Sequence, residues 1–195
     1  MFRLPKTNYH LEKDNPISQI FWGRCNVNTA ASFYFFSKAG KVQHLVHQLK
    51  YKGKKEIGVF MGEIYGKELM LSTDFAKTEI ILPVPLHPKK EKKRGFNQSE
   101  VFAMGLSSSM HVPYDTHTLI RTFASETQTR KTRFKRWENV KEIFSLQDKE
   151  KLSHKHLLLV DDVITTGATI EACVNLLNTI EGVTINIASI AVASH

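Results

Sequence analysis

The chain has 195 residues, 42% of them apolar and 24% charged, with 27 Lys+Arg against 19 Asp+Glu and a net charge of +8. This fits one globular domain with a short appendage; it excludes a mostly disordered chain, and no run approaches the roughly 18 apolar residues of a membrane span. The opening MFRLPKTNYH lacks an apolar run, so no secretory leader is expected, and Cys25 and Cys173 give neither a disulfide framework nor a zinc pattern, which makes a reducing cytoplasm the expected compartment.

Residues 1–30 are polar with little periodicity and read as an N-terminal arm; residues 31–195 read as the domain proper. The aromatic run 32–36 predicts a strand. Val42, Leu45, Val46 and Leu49 recur at helical spacing, with Gly53 as the stop. Ile57, Phe60, Met61, Ile64 and Tyr65 predict a second helix ending near Gly66. Residues 79–84 read as a buried strand, which Pro85 and Pro88 end before a loop. Asn97, with Glu100 three residues on, predicts the cap of a helix whose apolar face is Val101, Phe102 and Leu106. The stretch 111–150 has no clear period; it holds Leu119-Ile120, a basic segment, and Val140 and Phe144. Residues 156–160 are a continuous apolar strand, as in a parallel sheet covered on both faces. A loop from Asp161 to Ala168 leads to a helix carried by Ile170, Cys173, Val174, Leu177 and Ile180 and stopped by Gly182. A strand over 184–193 completes a βαβ unit. The alternation predicts an α/β fold around a central, mainly parallel sheet.

The chemistry is concentrated in residues 161–169, Asp-Asp-Val-Ile-Thr-Thr-Gly-Ala-Thr, between a buried strand and a helix start. Ligands of open α/β sheets bind at that end of the strands. Two adjacent carboxylates repel each other and call for hydroxyl donors, a cation or solvent. A ribose diol suits Asp161 and Asp162. Thr165, Thr166 and Thr169 supply hydroxyls, Gly167 lets the backbone bend, and the helix N-terminus is positive. Together these form a phosphate cradle. A sugar diol and its 5-phosphate would thus be held a few residues apart. A P-loop is excluded, because a match at Gly40-Lys41 has Phe35 in place of its first glycine and Val42 in place of Ser/Thr.

With these residues in view, the segment resembles the phosphoribosyl pyrophosphate (PRPP) motif of type I phosphoribosyltransferases. Three further blocks sharpen the likeness: residues 82–88 (LPVPLHP) with 94–98 (RGFNQ); Gln128-Thr129 with Arg136, Glu138-Asn139-Val140 and Phe144; and residues 49–53 (LKYKG). In this order and spacing, over about residues 33–195, the chain resembles the ComF family of competence-associated, phosphoribosyltransferase-like proteins. The resemblance implies the type I fold, with a small hood subdomain beside the sheet. It implies that Asp161 and Asp162 hold the ribose hydroxyls and that Thr165, Thr166, Gly167, Ala168 and Thr169 hold the 5-phosphate. It assigns Val84, Pro85, Leu86 and His87 to the pyrophosphate, and Lys92, Lys93, Arg94, Gly95, Phe96, Asn97 and Gln98 to a mobile loop that closes over it. The implied activity is transfer of phosphoribose from PRPP to an acceptor, with Mg²⁺ accompanying the PRPP, pyrophosphate leaving, and a role in competence. The alternative is a non-catalytic binding module acting through protein or single-stranded DNA partners. Threonine at position 165 stands where purine-type relatives have a basic aspartate, so purine transfer is not expected.

Fourteen of the 27 basic residues fall in three windows: 50–55, 89–94 and 130–136. They suit a polyanion such as PRPP and permit weak contact with single-stranded DNA. Competence or DNA-replication proteins and a second copy of the chain are further partners to consider; a membrane is not. ComF proteins commonly carry a four-cysteine zinc module ahead of the transferase domain, absent here through loss or shortening, and no zinc is expected. His44 and His47 lie three apart, without further ligands. Phe96, Phe134 and Trp137 read either as base-stacking groups or as core and hood rim, and Cys173 as inert core.

Overall fold

The computed structural model describes residues 4–37, 40–121 and 144–193. In chain order these form α1 (Pro16–Gln19), β1 (Thr29–Phe36), α2 (Lys41–Tyr51), α3 (Lys55–Leu69), β2 (Ile80–Pro83), α4 (Pro88–Arg94), α5 (Gln98–Met110), β3 (Leu119–Arg121), β4 (Phe144–Leu146), β5 (His156–Ile164), α6 (Ala168–Leu177) and β6 (Thr184–Ala193), with short 3₁₀ turns between. The main sheet has the order β1-β6-β5-β2, every pair parallel; β3 and β4 form a separate antiparallel pair.

Alternation along β5 assigns its two faces. Leu158 and Val160 join Ile81, Leu49, Tyr65, Phe102 and Leu106 under α2, α3 and α5. Leu157 and Leu159 join Ile187, Cys173, Val174 and Leu177 of α6, together with Ile17 and Phe21. Both faces are thus buried, which is why β5 begins as an unbroken apolar run. Among the described residues no helix is long and apolar enough to cross a membrane.

Several predicted boundaries differ from what is observed; among them, the last helix stops at Leu177 rather than reaching Ile180, and the first strand begins at Thr29. The second helix continues past Gly66 to Leu69. A Cβ at Gly62 would meet the Phe102 carbonyl and the Leu106 amide, and one at Gly105 would meet the Val59 carbonyl. Glycine there lets α3 and α5 approach backbone to backbone rather than ending the helix. The loop expected after Pro88 is instead a helix, α4: proline suits its first turn, the His87 ring accepts the Lys89 N–H at 3.1 Å, and Gly95 ends it at φ +83°. β5 runs through Asp161 and Asp162 to Ile164, which shortens the phosphate loop to residues 165–167. β3 and β4 were hidden in the stretch with no period. The basic segment that carried part of the resemblance, including Gln128, Thr129, Phe134, Arg136, Trp137 and Val140, lies outside the described residues.

Residues 4–28, read as an arm, line the outer edge of β1. Ser18 Oγ accepts the Ala30 N–H at 2.9 Å, Asn15 Nδ2 donates to the Ala30 carbonyl at 2.8 Å, and the Thr7 hydroxyl donates to the Ser32 carbonyl. Thr7 N–H donates to the Phe33 carbonyl at 3.1 Å, and Phe35 N–H to the Pro5 carbonyl at 3.0 Å. At the opposite edge, Ile81 of β2 exchanges backbone bonds with Pro113 and Asp115 at 3.0 and 2.9 Å. Polar residues with no period are what such edge-sealing requires.

Candidate functional site

The carboxyl ends of β5 and β2 bring the sequence motifs together. Asp161 is partly buried and Asp162 is buried at 8% exposure. Asp161 Oδ1 accepts from Ser99 Oγ at 2.7 Å and from the Asp162 N–H at 2.8 Å. Asp162 Oδ2 faces the Lys50 ammonium at 3.0 Å. Burial and the Asp162 charge push the Asp161 carboxyl up to about 7, against the lowering pull of Ser99, the Asp162 N–H and Lys50. Burial and the neighbouring acid thus both work against a negative charge on Asp161 at the end of β5.

The loop that follows exposes Thr165, Thr166 and Thr169, while Gly167 is buried at φ +77°. A Cβ on Gly167 would lie 2.9 Å from Phe21 Cε1, so position 167 needs glycine both for its left-handed backbone and for space. Arg24 braces the same bend. Its Nη1 donates to the Thr166 carbonyl at 2.8 Å, its Nε to Glu171 Oε2 at 3.0 Å, and its Nη2 completes an ion pair with Glu171. Thus α1 and the turn after it hold the threonine loop at the N-terminus of α6 from behind.

The block 84–98 joins the acid pair through side chains near the N-terminus of α5. Val84 N–H donates to the Val160 carbonyl at 2.9 Å, extending the β2–β5 pairing. Asn97 caps α5 by accepting the Ser99 N–H at 3.1 Å, and its amide donates to the Val84 carbonyl at 3.0 Å. One cap residue therefore fixes the 84–87 turn and presents Ser99 to Asp161. Pro85, Leu86 and His87 are half-buried beyond it. Lys92, Lys93 and Gly95 are exposed, whereas Phe96 and Gln98 are buried. Phe96 packs in the core beside α5, which settles its reading as core. Arg94 bonds Gln98 Oε1 at 2.6 Å and lies over the Tyr51 ring at 5.5 Å, and Lys55 lies over Phe96 at 5.2 Å. Two of the three basic windows therefore meet beside the acid pair.

Sequence reasoning placed Lys50 in a basic window suited to a polyanion but did not pair it with the acids, and it gave no role to Ser99 or Arg24. Lys50 lies in the LKYKG block that carried the resemblance, and that block's position beside the others was the available signal. Ser99 directly follows the RGFNQ block. Nothing in the sequence marked Arg24. His44 and His47 gather no metal set: His44 bonds Gln48 at 3.1 Å and His47 packs on Tyr51. Among the described residues no three His, Cys, Asp or Glu cluster around a metal-sized site. Cys173 is fully buried, and burial raises its thiol well above the usual range.

The chain is similar to the DNA utilization protein YhgH of Escherichia coli O157:H7, 32% identical over 136 residues, covering 68% of this chain and 59% of that one. It is similar to competence protein F of Haemophilus influenzae, 35% identical over 100 residues, covering 51% of this chain and 44% of that one. The matched stretch thus spans about half the length of these curated relatives. Among solved structures it is similar to the allosteric regulatory enzyme of purine biosynthesis, with a TM-score of 0.49 and 17% identity, covering 72% of this chain and 29% of that one. The family described as phosphoribosyl transferase domain matches residues 97–195, just over half of the chain and the part that contains α5, β5, the threonine loop and β6. The chain belongs to the phosphoribosyl transferase domain family, with the type I fold, and its relatives place it in the ComF branch.

Proposed function

We propose that the carboxyl end of β5 binds PRPP with Mg²⁺, and that the protein acts in competence and DNA utilization, as the names of its relatives suggest. One observation carries the reading: two adjacent aspartates, held by Ser99 and Lys50, end β5, and a left-handed glycine then turns the chain into the N-terminus of α6. Acceptor-only carboxylates suit a sugar diol, and backbone N–H groups at a helix start suit a phosphate. Mg²⁺ fits this donor set, being a hard cation that takes oxygen ligands and keeps most of its coordination for water and phosphate. When bound, it would neutralise pyrophosphate and lower the repulsion between Asp161 and Asp162.

In the transfer, the bond from the anomeric carbon to pyrophosphate breaks and one to the acceptor forms. This chain's residues orient the ribose through Asp161 and Asp162, hold the 5-phosphate at 165–169, and stabilise the departing charge with the cations of α4. A second reading, ligand binding without transfer, is favoured by Thr165, a hydroxyl that takes no proton at neutral pH, at the position where purine-type relatives carry a base. Calorimetry with PRPP and Mg²⁺, repeated on Asp161→Asn/Asp162→Asn, tests the site: binding by the parent and its loss in the variant are expected. No binding by the parent overturns the proposal. Pyrophosphate release across a panel of nucleobases and amines then separates transfer from binding alone.

A further inference from the structure

We propose that Lys50 exchanges partners when ligand binds, leaving Asp162 for an anionic group on C1 of the sugar, and that this exchange selects ribose 5-phosphate compounds charged at C1. The inference rests on the reading that the end of β5 takes a ribose 5-phosphate compound. Lys50 lies in the last turn of α2, and its ammonium is 3.0 Å from Asp162 Oδ2, with the two side chains only 22% and 11% exposed. Asp161 Oδ1 already accepts from Ser99 and from the Asp162 N–H. A diol that uses the acid pair must therefore compete with Lys50 for Asp162.

Once displaced, the ammonium loses its counter-charge where little water reaches it, and an unpaired, poorly solvated charge is costly. Its flexible four-carbon stem lets it turn to another anion. The other acid that feels its charge, Asp161, belongs to the pair the diol would occupy, and the nearby Arg94 and Lys55, over Tyr51 and Phe96, are cations. A pyrophosphate on C1 supplies the missing charge, and a C1 hydroxyl does not. Lys50 thus penalises ribose 5-phosphate itself and rewards PRPP.

The test is calorimetry in Mg²⁺ with PRPP and, separately, ribose 5-phosphate, on the parent, Lys50→Met and Lys50→Arg. The parent is expected to favour PRPP by about tenfold or more. Lys50→Met is expected to weaken PRPP by about tenfold while ribose 5-phosphate binds as before or more tightly; Lys50→Arg keeps the preference. Lys50→Gln gives the same comparison if the methionine form does not fold. Parallel loss of both ligands in the variant means that Lys50 only neutralises Asp162, and overturns the inference. Equal affinity of the parent for both ligands overturns it too, with the site reading intact. If the parent binds neither ligand, the site reading falls and this inference with it.

Discussion

Asp161 makes the stability of the molecule depend on pH. Its carboxyl is held at about 7 by burial and by the Asp162 charge, whereas in an unfolded chain it titrates near about 3.9. Below pH ~4 both states hold the proton and the native state suffers no penalty. Between about 4 and 7 the unfolded state ionises first, so stability falls as the pH rises. Asp161→Asn keeps an oxygen to accept from Ser99 and the Asp162 N–H without the charge. The variant is therefore expected to melt above the parent, by a margin that widens from pH 4 to 7 and then levels. Thermal melts at pH 4.5 and 8 read this directly, and an equal margin at both overturns it. The two aspartates were legible because acidic residues at a strand end followed by a threonine-rich bend make a long composite pattern. Lys50 and Ser99 were not, because they reach the acids from helices 112 and 62 positions away in sequence.

At the scale of elements, two packings carry separate expectations. Gly105→Ala forces α5 away from the Val59 carbonyl of α3 and is expected to cost about 1–3 kcal/mol, read as a fall in the denaturant midpoint. Arg24→Met removes the brace on the Thr166 carbonyl. Its pair with Glu171 is partly exposed, so the loss of stability should stay within about 1 kcal/mol. PRPP affinity is nevertheless expected to fall by about tenfold as the bend loosens; calorimetry and a melt together separate the two effects. The helices and strands were readable where one apolar face repeats, as in α2, α6 and β6. The reading failed at Gly66, because a glycine ending a helix and a glycine making room for a neighbouring helix, as Gly66 does for the Ser109 and Met110 side chains, look the same in one sequence. It also failed at β3 and β4, whose described residues, three in each, are too few to show a period.

Across the whole molecule, residues 4–28 matter more than their composition suggests. Phe21 is fully buried between the sheet and the threonine bend, so Phe21→Ala is expected to cost about 3–5 kcal/mol in chemical denaturation. A cost below about 1 kcal/mol would mean the segment only rests on the surface. The parallel sheet was legible from the alternation of elements, whereas the sealing of its margins was not, since hydrogen bonds to single backbone groups leave no periodic trace. That sealing has a consequence for assembly. With β1 bordered by Thr7, Asn15 and Ser18 and β2 by the strand-like 113–115 segment, neither margin offers a free ladder to another polypeptide. A second copy that paired through the margins of the main sheet would first have to displace these residues, so that route to assembly carries the cost of breaking bonds the single chain already makes.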